Sequence, residues 1–92
     1  MKFPLGRTVM TRGVSGLIER GKFPESFVQG CIDRHVDGDW GDMSPGDKES
    51  NDAGINGEDM LMSSYSSESG VKIWIITEWD RSVTTVLLPD EY

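Results

Sequence analysis

Residues Val71–Trp79 constrain the fold of this chain more than any other stretch. Val71, Ile73, Ile75, Thr77 and Trp79 alternate with Lys72, Trp74, Ile76 and Glu78, which is the two-residue period of a β-strand. Both sets contain large apolar groups, so the segment predicts a central strand covered by helices on at least one side. Met60–Ser66 and Ser82–Leu88 share its apolar, β-branched and aromatic bias. Ser63–Gly70 supplies a Ser-rich connection, Glu78–Ser82 a charged one, and Pro89 ends pairing. Three strands in a meander follow.

The upstream residues carry a different period. Arg7–Thr11 predicts a short strand; Val14, Leu17 and Ile18 then fall at helical spacing, with Gly21 as a stop. Pro24 suits a first helical position, and Val28, Cys31, Ile32, His35 and Val36 form an apolar stripe with Phe27 beside it. Gly38 and Gly41 break this pattern around Trp40, which makes Asp37–Asp42 a loop. Ser44, Pro45 and Asp47 have the offsets of an N-cap, a first-turn proline and an acidic capping partner, so a short polar helix should run to about Ala53. The order β-α-α-α-β-β-β predicts an α+β domain spanning residues 1–92. Its small antiparallel sheet of three or four strands should carry two or three short helices mainly on one face. RelE-like and barnase-like ribonuclease domains share this coarse order, an analogy of fold only.

Charge is unevenly distributed. The chain has 92 residues and a formal net charge of −7. Residues 1–32 carry net +3, residues 33–59 carry nine acids against Arg34 and Lys48 for −7, and residues 60–92 carry −3. Such a balance disfavours direct binding to nucleic acid or an anionic membrane and favours a protein partner with a basic surface. Cys31 is the single cysteine, which excludes an internal disulfide. With one His and one Cys, a zinc site would have to draw on carboxylates, so neither metal nor cofactor is expected. The first ten residues lack the apolar run of a signal or membrane anchor, and the expected location is cytoplasmic.

Three constellations merit a chemical test. Asp37, Asp39 and Asp42 resemble a calcium loop in spacing, but the sixth and twelfth positions, where an EF-hand needs Gly and Glu, hold Asp42 and Lys48. The expected alternatives are a solvated turn anchored by Trp40, or an acidic recognition surface made of Asp37, Asp39, Asp42, Asp47 and Glu49 with Trp40 as its anchor. In the second constellation, Asp80 and Arg81 would stabilise a turn, or Arg81 would bind phosphate with Glu78 as a base. The third is a nuclease arrangement of His35, Arg81, Thr84 and Tyr92, set against the reading that His35, on the apolar stripe, is structural. No nucleophile elbow, Walker loop or dinucleotide fingerprint occurs, and Cys31 on the apolar stripe reads as a buried thiol.

Gly38-Asp39-Trp40-Gly41-Asp42 and Ile75-Ile76-Thr77-Glu78-Trp79-Asp80-Arg81-Ser82-Val83-Thr84-Thr85-Val86-Leu87-Leu88-Pro89-Asp90-Glu91-Tyr92 resemble segments of a family of small plasmid and integrative-element proteins, often labelled only plasmid-related. Thr11-Arg12-Gly13, Arg34-His35 and Ser63-Ser64-Tyr65 extend the resemblance over most of the chain, while Phe23–Gly30 departs from it. The resemblance implies residence on a mobile element, with roles in countering host defence, maintaining the plasmid or regulating a neighbouring protein. Together with the acidic middle third, it leads to the expectation of a non-enzymatic acidic binding protein that inhibits a host nucleic-acid-binding defence complex, of the anti-restriction or anti-CRISPR type. The alternative is a small RelE-like or barnase-like ribonuclease, active or degenerate. Homodimerisation through Trp74 and Ile76 on the second sheet face is a further expectation.

Overall fold

In the computed structural model, which describes residues 1–92, the chain forms β1 (Arg7–Met10), α1 (Arg12–Glu19), α2 (Glu25–Val36), α3 (Pro45–Gly54), β2 (Leu61–Ser66), β3 (Lys72–Thr77) and β4 (Val83–Leu87), and ends in a 3-10 turn at Pro89–Glu91. Local chemistry accounts for these boundaries. Thr11 caps α1 by accepting a hydrogen bond from the Val14 N–H, and Ser44 caps α3 by accepting one from the Asp47 N–H. Pro45 occupies the first turn of α3, where its missing N–H costs nothing. Pro24 is the N-cap of α2 rather than its first residue, so that helix begins one position later than expected. None of the helices is long and apolar enough to cross a membrane.

The strands form one mixed sheet in the order β1-β4-β3-β2, with β3 internal as its two apolar faces predict. The expectation of a purely antiparallel sheet is corrected at one pair. β2–β3 and β3–β4 are antiparallel, but β1 runs parallel to β4, with Arg7 opposite Val83 and Met10 opposite Val86. A parallel pair requires a long crossover, and here all three helices and two strands lie between the partners. A four-residue strand carries no local mark of which neighbour it will take.

Helices α1 and α2 cover one sheet face. Val14 from α1, Val28, Cys31 and Ile32 from α2, and Phe23 between them pack on Tyr65, Ile73, Ile75 and Val86. A second, smaller core lies at the end of the same face, where Phe3, Trp40 and Leu61 meet beside Met43 and Ile55. On the opposite face Ile76 is buried by its neighbours and Trp74 is half-buried, with the Tyr92 ring edge-on to it at 5.8 Å. Trp74 and Ile76 therefore already have cover from within the chain.

The outer edge of β2 is closed by two devices. The Asn51 side chain donates to the Met62 carbonyl at 2.7 Å and accepts from the Met62 N–H at 3.2 Å, taking the place of a neighbouring strand. One pleat further on, the Ser64 N–H donates to the Trp40 carbonyl and the Asp42 N–H donates to the Ser64 carbonyl. Gly41 lies so close to this edge, at a φ of +68°, that a Cβ would stand 2.1 Å from the Ser64 carbonyl oxygen. Asn51→Ala should destabilise the fold by about 1–3 kcal/mol by leaving the Met62 amide and carbonyl without partners. Urea unfolding measures this, and an unchanged midpoint would show that water substitutes for the amide.

Candidate functional site

The polar residues of greatest chemical interest converge beneath the second core. His35, on the last turn of α2, is fully buried, as are Ser63, Thr77 and Thr84 on the facing strands. His35 Nδ1 is hydrogen-bonded to Ser63 Oγ, and His35 Nε2 lies 2.9 Å from Thr77 Oγ1. Thr77 Oγ1 lies 2.8 Å from Thr84 Oγ1, which lies 2.7 Å from the Leu5 carbonyl oxygen.

The direction of every bond in this chain follows from its end. A carbonyl can only accept, so Thr84 donates to Leu5 and must accept from Thr77. The Thr77 proton is then committed, so Thr77 accepts from an Nε2–H on His35. Nδ1 is left as an acceptor for the Ser63 hydroxyl, which specifies the neutral imidazole with its proton on Nε2. Burial pushes the His35 pKa down to about 4, in the same sense. Phe3 and Trp40 meet the imidazole edge-on at 5.3 Å and 5.5 Å and stack on each other at 6.0 Å. The network thus joins the N-terminal segment, α2 and three strands, and no buried side-chain polar atom lacks a partner.

Arg81 occupies the β3–β4 turn with φ at +60°, in the left-handed region where a side chain is disfavoured. Its guanidinium compensates by donating to the carbonyls of Asp59 at 2.6 Å, Gly54 at 2.8 Å and Glu78 at 3.2 Å. It therefore closes the C-terminal end of α3, and its donors are engaged rather than aimed at a phosphate. Its carbon also lies 5.8 Å from the centre of the Phe3 ring. Asp80 does not pair with Arg81; it accepts from the Ser82 N–H and hydroxyl, and these bonds hold its carboxyl below the usual range.

Of the nuclease arrangement, His35 and Thr84 are linked through Thr77 and Arg81 stands nearby over Phe3, but Tyr92 lies on the other sheet face against Trp74. His35 is sealed from solvent, in agreement with the structural reading of that residue. Cys31 is likewise buried, which pushes its thiol up to about 11 and keeps it protonated at neutral pH.

The acidic surface is exposed, with one correction. Trp40 is only 2% exposed and its indole N–H donates to Asp52 at 2.9 Å, so it anchors the loop from inside and cannot present its ring to a partner. An aromatic flanked by Gly and Asp looks the same in sequence whether it points outward or into a core.

The three loop acids are partly neutralised by this chain's own cations. Asp37 meets the N-terminal ammonium at 2.9 Å, Asp39 accepts from Arg34 Nε and Nη2 at 2.7 Å and 3.2 Å, and Asp42 lies 3.9 Å from Lys72. The Arg34 hydrogen bonds hold the Asp39 carboxyl below its ordinary range. The three acids diverge toward these partners, and no three acid, His or Cys side chains converge as metal ligands. By contrast Asp33, Asp47, Glu49, Asp52, Glu58 and Asp59 are exposed and have no cation within 4.0 Å. A separate open cavity of about 440 Å³, beside Phe23, Phe27 and Lys22, contains none of the site residues expected from sequence. Comparison with known proteins adds no relative: no family model matches the chain, and no characterised protein or solved structure is significantly similar to it.

Proposed function

We propose that this chain is a non-enzymatic acidic binding protein whose partner presents a basic surface. The partner class we infer is a nucleic-acid-binding component of a host defence complex, with the carboxylates standing in for phosphate charge, as expected of an anti-restriction or anti-CRISPR protein. The observation that carries this reading is the run of six exposed carboxylates without a cationic partner, from the end of α2 through α3 to the following loop. Unpaired surface charge contributes little to folding, and it raises encounter rates with a surface of opposite sign. Glu49 lies on the side of α3 away from Asn51, whose side chain closes the sheet edge, so it is free to meet a partner.

Affinity capture from a host lysate at low salt, followed by mass spectrometry, tests the reading. A basic nucleic-acid-binding protein should be recovered and released as salt is raised. Glu49→Lys combined with Glu58→Lys should weaken the complex by about tenfold, from loss of attraction and gain of repulsion. These positions are preferred to Asp37 and Asp42, whose reversal would also break contacts that hold the loop. Recovery of no basic partner, or a complex indifferent to salt and to the double substitution, would refute the proposal.

A further inference from the structure

The two edges of the sheet are treated differently. On β2 the main chain of two of the three outward-facing residues is closed by named partners, Met62 by Asn51 and Ser64 by the Trp40–Asp42 segment; Ser66, at the exposed end of the strand, is the third. On β1 the amides of Arg7 and Thr11 donate to Ser82 and Val86 of the β4 side. The parallel register therefore turns Arg7 and Val9 toward β4 and leaves the N–H and C=O of Thr8 and Met10 pointing outward. Nothing in the sheet lies beyond β1, and Arg7, Thr8 and Met10 are exposed, Met10 at 39%.

Two cations and one anion flank this edge: Glu91 is held by the Thr11 hydroxyl and the Gly13 N–H, leaving a local excess of positive charge in an acidic molecule. Arg7 starts β1 and Arg12 follows it by two residues; both are exposed, and neither has an anionic partner within 4.0 Å. An open strand edge takes an added strand through main-chain hydrogen bonds, with flanking side chains selecting the sequence. We propose that the β1 edge is a docking site for an extended, acidic peptide segment of a partner protein, which pairs with Thr8 and Met10 and places carboxylates near Arg7 and Arg12. The site is independent of the acidic surface of α3: it lies on another element, has the opposite charge and would engage a different segment.

The test uses the full chain and a blocked octapeptide of alternating Glu and Val, with a Lys and Val peptide as its control. Amide chemical shifts followed during titration should move at Thr8, Met10 and their neighbours, with the Lys peptide binding about tenfold more weakly. Thr8→Pro deletes one outward donor without touching the β1–β4 ladder, and proline is tolerated on a strand whose N–H faces solvent. It should reduce affinity for the Glu peptide by about tenfold, with an unchanged melting temperature confirming an intact fold. Arg7→Glu combined with Arg12→Glu should do the same. Equal binding of the two peptides, shifts confined to other elements or undiminished affinity in Thr8→Pro would each overturn the proposal. So would protection of the Thr8 and Met10 amides that grows with protein concentration in the absence of peptide, since the occupant would then be a second copy.

Discussion

Trp40→Ala should lower the free energy of unfolding by about 3–5 kcal/mol, the range for deleting a buried aromatic side chain from a packed core. The indole fills the space between Phe3, His35 and Leu61 and donates to Asp52 at 2.9 Å. Its removal strips one wall from the imidazole network and leaves a void that the backbone cannot close, because Trp40 and Asp42 are hydrogen-bonded to the β2 edge. Urea unfolding followed by circular dichroism gives the quantity without depending on tryptophan fluorescence. Trp40→Phe should recover much of the loss by refilling the space, though not the bond to Asp52. A surface anchor behaves in the opposite way, losing binding at constant stability. A loss in Trp40→Ala below about 1 kcal/mol would contradict the burial of the indole.

Acid should destabilise the fold in a window set by His35. Its folded-state pKa is about 4, against an ordinary value of 6.5, so the unfolded chain binds the proton first as pH falls. The stabilisation is complete above about pH 6.5 and lost between there and about pH 4. At about 1.4 kcal/mol per pH unit, roughly 2 kcal/mol should be gone by pH 5 and about 3 kcal/mol by pH 4. The physical cost is twofold: a cation without solvent, and an Nδ1–H that must find an acceptor where the Ser63 hydroxyl now donates. His35 is the only histidine, and ordinary carboxylates titrate chiefly below pH 5, so the upper half of the window reports on this residue. Urea midpoints at pH 7, 6 and 5 would measure the slope. His35→Gln should be less stable at pH 7 and nearly flat across this range. A wild-type midpoint constant from pH 7 to 5, or an equal slope in His35→Gln, would show that the imidazole is not held neutral.

These two residues also show how far the site was legible. The helical stripe that includes His35 placed it on a face turned toward the core, because an i, i+3, i+4, i+7 pattern points one helix face inward, and there it is buried. Its partners Ser63, Thr77 and Thr84 lie 28 to 49 positions away on strands, and Leu5 is 79 positions from Thr84. No local period can reveal that pairing. Trp40 was legible as the organiser of its loop but not as part of a core, since Phe3, its stacking partner, sits 37 residues earlier. Arg81 offered either a turn-stabilising pair with Asp80 or an anion site; the carbonyls that engage it instead belong to the end of α3, the loop beyond and its own turn. Asn51 gave no signal at all, because a single Asn in a polar helix acquires its role only when a strand edge lies beside it.

The Thr11 cap of α1 emerged with the fold, whereas local sequence patterns were enough for the order and type of the elements, the internal position of β3, the side-chain-capped start of α3 and the distribution of charge. Each of these depends on spacing within a few residues: two-residue alternation, helical stripes, capping offsets, or a count of charges. Long-range contacts decided that β1 runs parallel to β4, that the β2 edge is closed at Met62 and Ser64 while the β1 edge stays open, and that His35 is a neutral link in a buried chain. It also separated the acids neutralised by their own chain from those left free. These outcomes depend on distances between residues remote in sequence, and hydrogen bonds and ion pairs act over a few ångströms, so they exist only once the chain has folded.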